Sequence, residues 1–199
     1  MASESSNFFA ILSRMKYVNR WGLMRNSRNE SLSDHTLDVI FITHALVVIA
    51  NKYFGKDLDE GRAVLLAAFH DAPEIITGDL PTPVKYFDPQ IKHAYDNVEQ
   101  SVKDRMISTL PSEMQDDYSR IMNFEEEGDI ELKKYVKAAD KISALLKCIE
   151  EECSGNTDFR KAKESTEQAI AKMDMPEVTH FLDHFLEGYY KTLDEQTNS

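Results

Sequence analysis

The chain has 199 residues, of which 42% are hydrophobic and 29% are charged, so it is long and apolar enough for one folded domain with a substantial core. Its formal net charge of −12 argues against a general nucleic-acid binder, because such proteins neutralise phosphates with Lys and Arg. The N-terminus lacks the features of a secretory signal, and no apolar run approaches the roughly 18 residues that span a bilayer. We therefore expect a cytoplasmic protein in which Cys148 and Cys153 remain free thiols.

The predicted elements are all helices, because apolar residues recur three or four positions apart and no stretch alternates as a β-strand would. The expected helices cover residues 8 to about 18, 34 to about 53, 57 or 59 to 70, 89–109, 112–123, 129–153, 158–173 and 176–191. The first stretch ends near Trp21 and Gly22, and Ser33 is the expected N-cap of the second helix. Segment 78–83 holds two prolines and a glycine, which break a helix. The sequence thus predicts one all-α domain over residues 1–199, a bundle of antiparallel or orthogonal helices.

The dipeptide His70-Asp71 carries little weight by itself, because chance supplies about half a His-Asp pair in a chain of this composition. Its surroundings are more specific. Residues 64–69 are wholly apolar, which indicates a buried helix, and this helix ends in the two ionisable groups, followed by Pro73 and Glu74. Burying charge at a helix end is costly unless a metal or another partner compensates it, so the pair is a candidate for a metal site.

Asp140 and His35 are weaker candidates when each is taken alone. Asp140 lies in an apolar stretch of its helix, where a hydrogen-bonded structural Asp is the alternative. His35 lies in the first turn of its helix, where a histidine is more often a surface or hydrogen-bonded residue. Together with His70 and Asp71, they form a mixed nitrogen and oxygen set that suits Mn²⁺, Co²⁺, Fe²⁺ or Zn²⁺. Four protein ligands also leave coordination positions for water and a phosphate oxygen.

The order of these residues on predicted helices resembles the HD-domain metallophosphohydrolase superfamily. A closer resemblance, over essentially the whole chain, is to the bacterial 5′-deoxynucleotidases of the YfbR type. It rests on NRWGLMRN at 19–26, SDHT at 33–36, FHDAPEIITGDLPTPVKYF at 69–87 and KAADKISALLKCIEE at 137–151. Two positions depart from the expected pattern: Asp34 replaces a Glu and Pro73 replaces a small polar residue. Neither departure removes a functional group.

This resemblance implies a single HD-domain helical bundle that hydrolyses deoxyribonucleoside 5′-monophosphates to deoxyribonucleoside and phosphate, by attack of a metal-activated water. It implies a cytoplasmic homodimer, with neither a nucleic-acid polymer nor a membrane as partner. The implied cofactor is a divalent transition metal, Co²⁺ or Mn²⁺ before Zn²⁺, Fe²⁺ or Cu²⁺. The implied metal ligands are His35, His70, Asp71 and Asp140.

The resemblance also implies roles around the metal. Arg20 would orient the phosphate, and Trp21 would pack by the sugar. Glu74 and Asp79 are the candidate acid and base groups, because the leaving 5′-oxygen needs a proton. The implied substrate-binding residues are Arg20, Trp21, His35, Asp71, Asp79, Leu80, Pro81, Thr82 and Asp140.

Two other functions fit parts of this pattern. A dNTP triphosphohydrolase, or another nucleotide phosphohydrolase such as a cyclic phosphodiesterase, would use the same motif with more basic groups or more metal ligands. Only Arg20, Arg25, Arg28 and Lys85 lie near the motif. A non-catalytic helical module with a structural metal would typically have a closed, thiolate-rich site, and neither cysteine belongs to the set.

His180 and His184 share a helix face, but nothing in the sequence completes a metal site there, so we interpret them as a packed or dimer-facing pair. We interpret His44 as a core residue and His93 as a surface residue.

Overall fold

The computed structural model describes residues 5–85 and 87–197, and the side chain of Thr82 lies outside that description. Tyr86, part of the family-like motif, is likewise outside the described residues. The helices are α1 (Phe8–Leu12), α2 (Leu32–Tyr53), α3 (Glu60–Phe69), α4 (Glu74–Thr77), α5 (Thr82–Lys85), α6 (Pro89–Ile107), α7 (Ser112–Asn123), α8 (Asp129–Cys153), α9 (Arg160–Ala171), α10 (Pro176–Phe185) and α11 (Leu193–Thr197). Two 3₁₀ segments cover Ser13–Tyr17 and Leu186–Tyr190. The described residues contain no β-strand, which confirms the predicted all-α class.

Helices α2, α3 and α8 pack on one another and form the main core. On α2 the buried positions Val39, Ile42 and Leu46 recur at helical spacing, so one stripe of the helix meets its neighbours. Helices α9 and α10 close the core through Ile170 and Phe181. A second, smaller cluster joins α1, α6 and α7 to the turn after α3, and its buried residues are Phe8, Ala72, Met106, Ile107, Leu110 and Met122.

The start of α2 differs from the prediction. Ser31, not Ser33, is the N-cap, and the helix begins at Leu32. The Ser31 hydroxyl accepts a hydrogen bond from the backbone N of Asp34 at 3.2 Å, and the Asp34 carboxylate accepts one from the backbone N of Ser31 at 3.0 Å. This reciprocal capping box satisfies two N–H groups at once, and a cap at Ser33 would leave Asp34 without that role.

Several other boundaries differ from the predicted ones. The first stretch is a short α-helix that tightens into a 3₁₀ segment and ends at Tyr17, before Trp21 and Gly22. The start of α3 agrees with the prediction, because Asp59, one of the two expected caps, accepts from the backbone N of Arg62 at 2.8 Å. The last predicted helix ends at Phe185 and continues as a 3₁₀ segment.

Helix α2 is long and apolar enough to cross a membrane on length and composition alone, with a mean hydropathy of 1.5 over its best 18-residue window. The expectation that no segment approaches that length is therefore wrong for this helix. Half of that window is buried inside the fold, and its packing against α3 and α8 accounts for the buried apolar residues.

Candidate metal centre

Four side chains from three regions of the bundle meet at one place. His35 lies in the first turn of α2, His70 and Asp71 follow α3, and Asp140 lies in the middle of α8. One ligand atom from each lies within 4.8 Å of all the others. Nε2 of His35 is 3.4 Å from Oδ2 of Asp71 and 3.3 Å from Oδ1 of Asp140. Nε2 of His70 is 2.9 Å from the same oxygen of Asp71.

Both imidazoles are oriented through their Nδ1 atoms. Nδ1 of His70 donates to the backbone O of Ala67 at 2.7 Å, and Nδ1 of His35 lies 2.9 Å from Oγ of Ser143. The Nε2 atoms of both histidines are buried, and neither makes a hydrogen bond of acceptable geometry. A histidine whose Nδ1–H is donated in this way presents a lone pair at Nε2, which is the usual arrangement of a metal-binding imidazole. The donor set therefore fits a divalent metal.

The charges of the cluster balance one another. Burial lowers the pKa of His70, but Asp71 and Asp140 outweigh it and raise that pKa to about 9, so the site favours positive charge at Nε2, where a metal cation would replace the proton. Burial raises the pKa of Asp71, yet the two histidines hold it well below its usual range. The pKa of Asp140 is also lowered, because contacts with His35 and Lys141 outweigh burial. Asp71 and Asp140 are half-buried carboxylates that stay ionised, so they favour a positive charge between them, which a metal cation supplies.

Glu74 lies one turn beyond this cluster, at the start of α4, and is only 7% exposed. Its Oε2 atom is buried and has no hydrogen-bond partner. Burial, Asp71 and Asp79 raise the pKa of Glu74 to about 9, against the opposing effect of Lys85 and Arg20. The raised pKa favours the protonated form of Glu74, which is the form that can donate a proton.

The side chains predicted to bind phosphate and sugar lie on the loop before α2. Nη1 of Arg20 lies 3.1 Å from Oε2 of Glu30, and the Arg20 side chain is only 10% exposed. The indole of Trp21 packs on Phe159 with 5.2 Å between ring centroids. The backbone N of Trp21 donates to Oδ2 of Asp79 at 3.3 Å, which ties this loop to the loop after α4.

The remaining predicted substrate residues lie on that second loop. Leu80 and Pro81 are half-buried between α4 and α5, and Thr82 begins α5. The predicted contact of the Thr82 side chain falls outside the described part of the structure.

Two residues in and beside the site were missed by the sequence analysis. Ser143, which positions His35, lies one helical turn after Asp140 and could have been found from that spacing. Glu30, which contacts both Arg20 and Trp21, had no sequence signal, because its partners are ten and nine positions away across an irregular loop.

Among the histidines outside the candidate metal centre, the structure corrects the predicted burial of one, His44. His44 is exposed, with half of its side chain accessible, and faces Glu60 at 3.9 Å, so its interpretation as a core residue is wrong. It lies on the outward side of α2 together with Leu37 and Phe41. The rings of His180 and His184 stack with centroids 4.1 Å apart, and no second group of three or more metal-type ligands occurs among residues 5–85 and 87–197.

Both cysteines are free, as predicted.

The fold matches solved HD-domain phosphohydrolases. An HD-domain phosphohydrolase from Listeria innocua aligns over 96% of this chain and 95% of that chain, with a TM-score of 0.79 and 21% identity. The HD phosphohydrolase of cyanophage S-2L, solved with dA and one catalytic Zn²⁺ ion, aligns over 92% of this chain and 96% of that chain, with a TM-score of 0.65 and 18% identity. The bundle is therefore an HD-domain phosphohydrolase fold, which confirms the predicted class.

Sequence relatives define the family within that class. Residues 7–189 match the model of the YfbR-like 5′-deoxynucleotidase family. Proteins named 5′-deoxynucleotidase from Yersinia pestis and Yersinia pseudotuberculosis are each 45% identical to this chain over 190 residues, covering 96% of both chains. The chain belongs to the YfbR-like 5′-deoxynucleotidase family, as its motifs predicted.

Proposed function

We propose that this protein is a metal-dependent 5′-deoxynucleotidase, which hydrolyses deoxyribonucleoside 5′-monophosphates to deoxyribonucleoside and phosphate. The observation that carries the proposal is the convergence of the His35, His70, Asp71 and Asp140 donor atoms within 4.8 Å in a chain of this family. The relatives that share 45% identity are named for the same activity.

The ligands of the metal are proposed to be these same four residues, with Co²⁺ or Mn²⁺ as the cofactor. The mixed imidazole and carboxylate set suits several divalent ions, and the structural relative from cyanophage S-2L holds Zn²⁺. When bound, the metal supplies a Lewis acid that polarises the phosphate and lowers the pKa of a water molecule at the site.

Arg20 is proposed to bind and orient the phosphate. Its guanidinium is buried, and its Nε has no hydrogen-bond partner. A planar guanidinium matches two phosphate oxygens at once, and such charge-assisted contacts are stronger than neutral ones. Arg20 can therefore hold the phosphate in line for attack and stabilise the charge that shifts onto its oxygens during transfer.

Glu74 is proposed to donate the proton that the departing 5′-oxygen requires. As the water oxygen bonds to phosphorus, the bond from phosphorus to the 5′-oxygen breaks, and the Glu74 carboxyl proton passes to that oxygen. The attacking water releases one proton to solvent and solvent returns one proton to Glu74, so the protons balance over the cycle. Asp79 is the weaker candidate for this task, because its Oδ2 already accepts a hydrogen bond from the backbone N of Trp21.

Trp21 and the loop from Asp79 to Thr82 are proposed to face the sugar. The indole N–H of Trp21 donates to Glu30 at 2.8 Å, so it is not available to a ribose 2′-hydroxyl. A stiff aromatic wall whose only polar group is already occupied leaves such a hydroxyl buried without a partner, which is costly. This arrangement supports a preference for deoxyribose.

We further expect a cytoplasmic homodimer. Leu37 and Phe41, one turn apart on α2, are 52% and 64% exposed, and we propose this outward apolar pair as part of the surface on which a second copy packs. Light scattering on the purified protein at several concentrations measures the assembly.

The function is tested by phosphate release from metal-stripped protein to which single divalent ions are added back. Deoxyribonucleoside monophosphates, ribonucleoside monophosphates and deoxyribonucleoside triphosphates are compared at equal concentration. We expect phosphate from the deoxyribonucleoside monophosphates, restored most strongly by Co²⁺ or Mn²⁺. Release of intact triphosphate from the triphosphates would instead support the triphosphohydrolase alternative.

A further inference from the structure

Glu30 is a buried carboxylate that joins the two residues assigned to the substrate. It is 8% exposed. Its Oε2 atom accepts a hydrogen bond from Nη1 of Arg20 at 3.1 Å and another from Nε1 of Trp21 at 2.8 Å. A single oxygen atom therefore sets the position of both side chains.

The backbone is bent so that both side chains can reach this oxygen. Neighbouring side chains of an extended segment point in opposite directions, so Arg20 and Trp21 would not converge from a regular strand. Trp21 has a φ of 58°, in the left-handed region that is unfavourable for residues with a side chain. Two hydrogen bonds hold Trp21 in that conformation, from its indole to Glu30 and from its backbone N to Asp79.

The contact with Glu30 also decides which edge of Arg20 remains for a ligand. Nη1 is used by Glu30, whereas Nε is buried without a partner and shares an edge of the planar guanidinium with Nη2. That edge presents two parallel N–H groups, which match two phosphate oxygens, and neither of them is used by Glu30. Asp71, Asp79 and Asp140 also attract Arg20 electrostatically, so each of them competes with Glu30 for the guanidinium.

We propose that Glu30 is a positioning residue, whose one oxygen orients the phosphate-binding edge of Arg20 and the indole of Trp21 together. The inference rests on the proposed function, because it takes Arg20 and Trp21 as substrate residues. The backbone N of Arg20 donates to the backbone O of Glu30 at 2.9 Å, and this bond does not depend on the Glu30 side chain. Side-chain substitutions at Glu30 therefore remove the shared carboxylate and keep the backbone pairing.

The first test needs no substrate. Trp21 is the only tryptophan of the chain, so fluorescence excited at wavelengths that tyrosine does not absorb reports on its indole alone. Glu30→Ala should shift the emission to longer wavelength and increase quenching by a soluble quencher, because the indole N–H loses its partner. Glu30→Gln should keep the spectrum close to that of the unmodified protein, because the amide oxygen still accepts from the indole. Glu177→Ala is the matched control, since Glu177 is a buried carboxylate that accepts from the hydroxyl of Tyr135 at 2.9 Å, at a different place in the fold.

The second test separates KM from kcat with dAMP and dTMP as substrates. Glu30→Ala should lower kcat/KM on the order of 10- to 100-fold, because a charge-assisted contact to Arg20 is lost. The loss should be divided between a higher KM, since the phosphate is held less well, and a lower kcat, since it is misaligned. Glu30→Gln should recover part of it, and Glu177→Ala should match the unmodified enzyme at temperatures where both are folded.

Each result bears on the proposal. An unchanged spectrum in Glu30→Ala, or a kcat/KM equal to that of Glu177→Ala, would overturn it. If Glu30→Ala does not fold, Glu30→Asp decides: its shorter side chain cannot reach both donors, so the proposal requires a shifted spectrum and a raised KM. If the unmodified protein releases no phosphate from dAMP or dTMP, the proposed function fails, while the fluorescence result still tests whether Glu30 holds Trp21.

Discussion

The candidate metal ligands are held by packed helices, whereas the residues assigned to the substrate lie on loops that polar side chains hold in place. His35 and Asp140 belong to α2 and α8, which pack together in the main core. Arg20 and Trp21 belong to an irregular segment, 18–31, whose fixed points are the buried carboxylates Glu30 and Glu151. The metal half of the site thus depends on apolar packing and the substrate half on hydrogen-bonded charge.

The contacts of Glu151 show that hydrogen-bonded charge also connects the loop to helix α8. Glu151, on α8, is 1% exposed and accepts from the backbone N and the hydroxyl of Ser27. Lys147 is its ion-pair partner and also donates to the backbone O of Arg28. The same helix that carries Asp140 therefore fixes the loop that carries Arg20. Changes in either half should be separable by experiment.

The largest effect is expected at the metal ligands. Asp140→Ala removes one of two ionised carboxylates from a site that needs positive charge, so metal content should fall and kcat should drop on the order of 10⁴-fold. Elemental analysis and phosphate release on the same preparation measure both quantities. Asp116→Ala, an exposed Asp on α7, is the control and should change neither. Full turnover of Asp140→Ala in the presence of a chelator would contradict the metal-dependent mechanism.

Glu74→Gln should reduce kcat by roughly 10²–10⁴-fold with the metal still bound, because the amide keeps the shape and loses the acidic proton. A pH profile sharpens this prediction. Only the protonated acid donates, so kcat should decline as pH rises through the pKa of Glu74, which is raised from 4.5 to about 9. A bound cation offsets the charge of Asp71, one cause of that rise, so the decline should begin below pH 9 and above pH 4.5. If Glu74→Gln shows the same basic limb as the unmodified enzyme, Glu74 is not the proton donor.

Arg20→Ala should reduce kcat/KM on the order of 10- to 100-fold for every nucleotide, whatever its base, because the lost contact is to the phosphate. Arg20→Lys should restore only part of this, since an ammonium cannot reproduce the planar fork. Arg25→Ala provides the control on the same loop, where the guanidinium is 88% exposed and pairs with Asp158. Complete rescue by Lys would show that the site needs charge rather than geometry.

Trp21→Ala should narrow the preference for deoxyribonucleotides over ribonucleotides by up to about 100-fold, which is the discrimination that an apolar wall can supply against one hydroxyl. The ratio of the two kcat/KM values and the melting temperature are measured on one preparation. If the indole is only an anchor on Phe159, the melting temperature falls and activity on both sugars declines in proportion.

Glu151→Gln should have the smallest effect on turnover and a clear effect on stability. Burial raises the pKa of Glu151, but hydrogen bonds from Lys147, Ser27 and Asn156 outweigh it and lower that pKa from 4.5 to about 2. The stabilisation is therefore complete above pH 4.5 and is lost as pH falls from 4.5 towards 2. The melting temperature of the unmodified protein should fall over that range, and Glu151→Gln should be less stable at pH 7 and less sensitive to acid. An equal acid sensitivity in both proteins would assign the dependence to other carboxylates.

The difference between packed helices and hydrogen-bonded loops also explains which features could be predicted from the sequence. The helices that carry His35 and Asp140, and the helix that precedes His70, have strong apolar periodicity, so these helices could be predicted. His70-Asp71 is a candidate because it follows a wholly apolar run, whereas the full set of ligands is implied by the family resemblance. The N-cap was misplaced by two residues because Ser31 and Ser33 are both good caps, and only the reciprocal contact with Asp34 distinguishes them.

The contacts of segment 18–31, which carries Arg20 and Trp21, could not be predicted from helical periodicity. Glu30 and Glu151 look like ordinary acidic residues in the sequence, and their burial follows from contacts across the fold rather than from local spacing. A left-handed backbone conformation is usually predicted from a glycine, and position 21 is a tryptophan. The turn that directs the Trp21 indole could therefore not be predicted either.

The origin of the candidate ligands in three separate regions of the chain has a consequence for the life of the protein in a cell. An ion that binds the folded chain and not the unfolded chain shifts the folding equilibrium by mass action, by about 2.7 kcal/mol when it is present at a hundredfold excess over its Kd. Because His35, His70 and Asp140 lie far apart in the chain, the unfolded chain does not hold this ligand set together. Scarcity of the ion should therefore increase the population open to proteases, so the abundance of the protein, as well as its rate, would follow the metal supply.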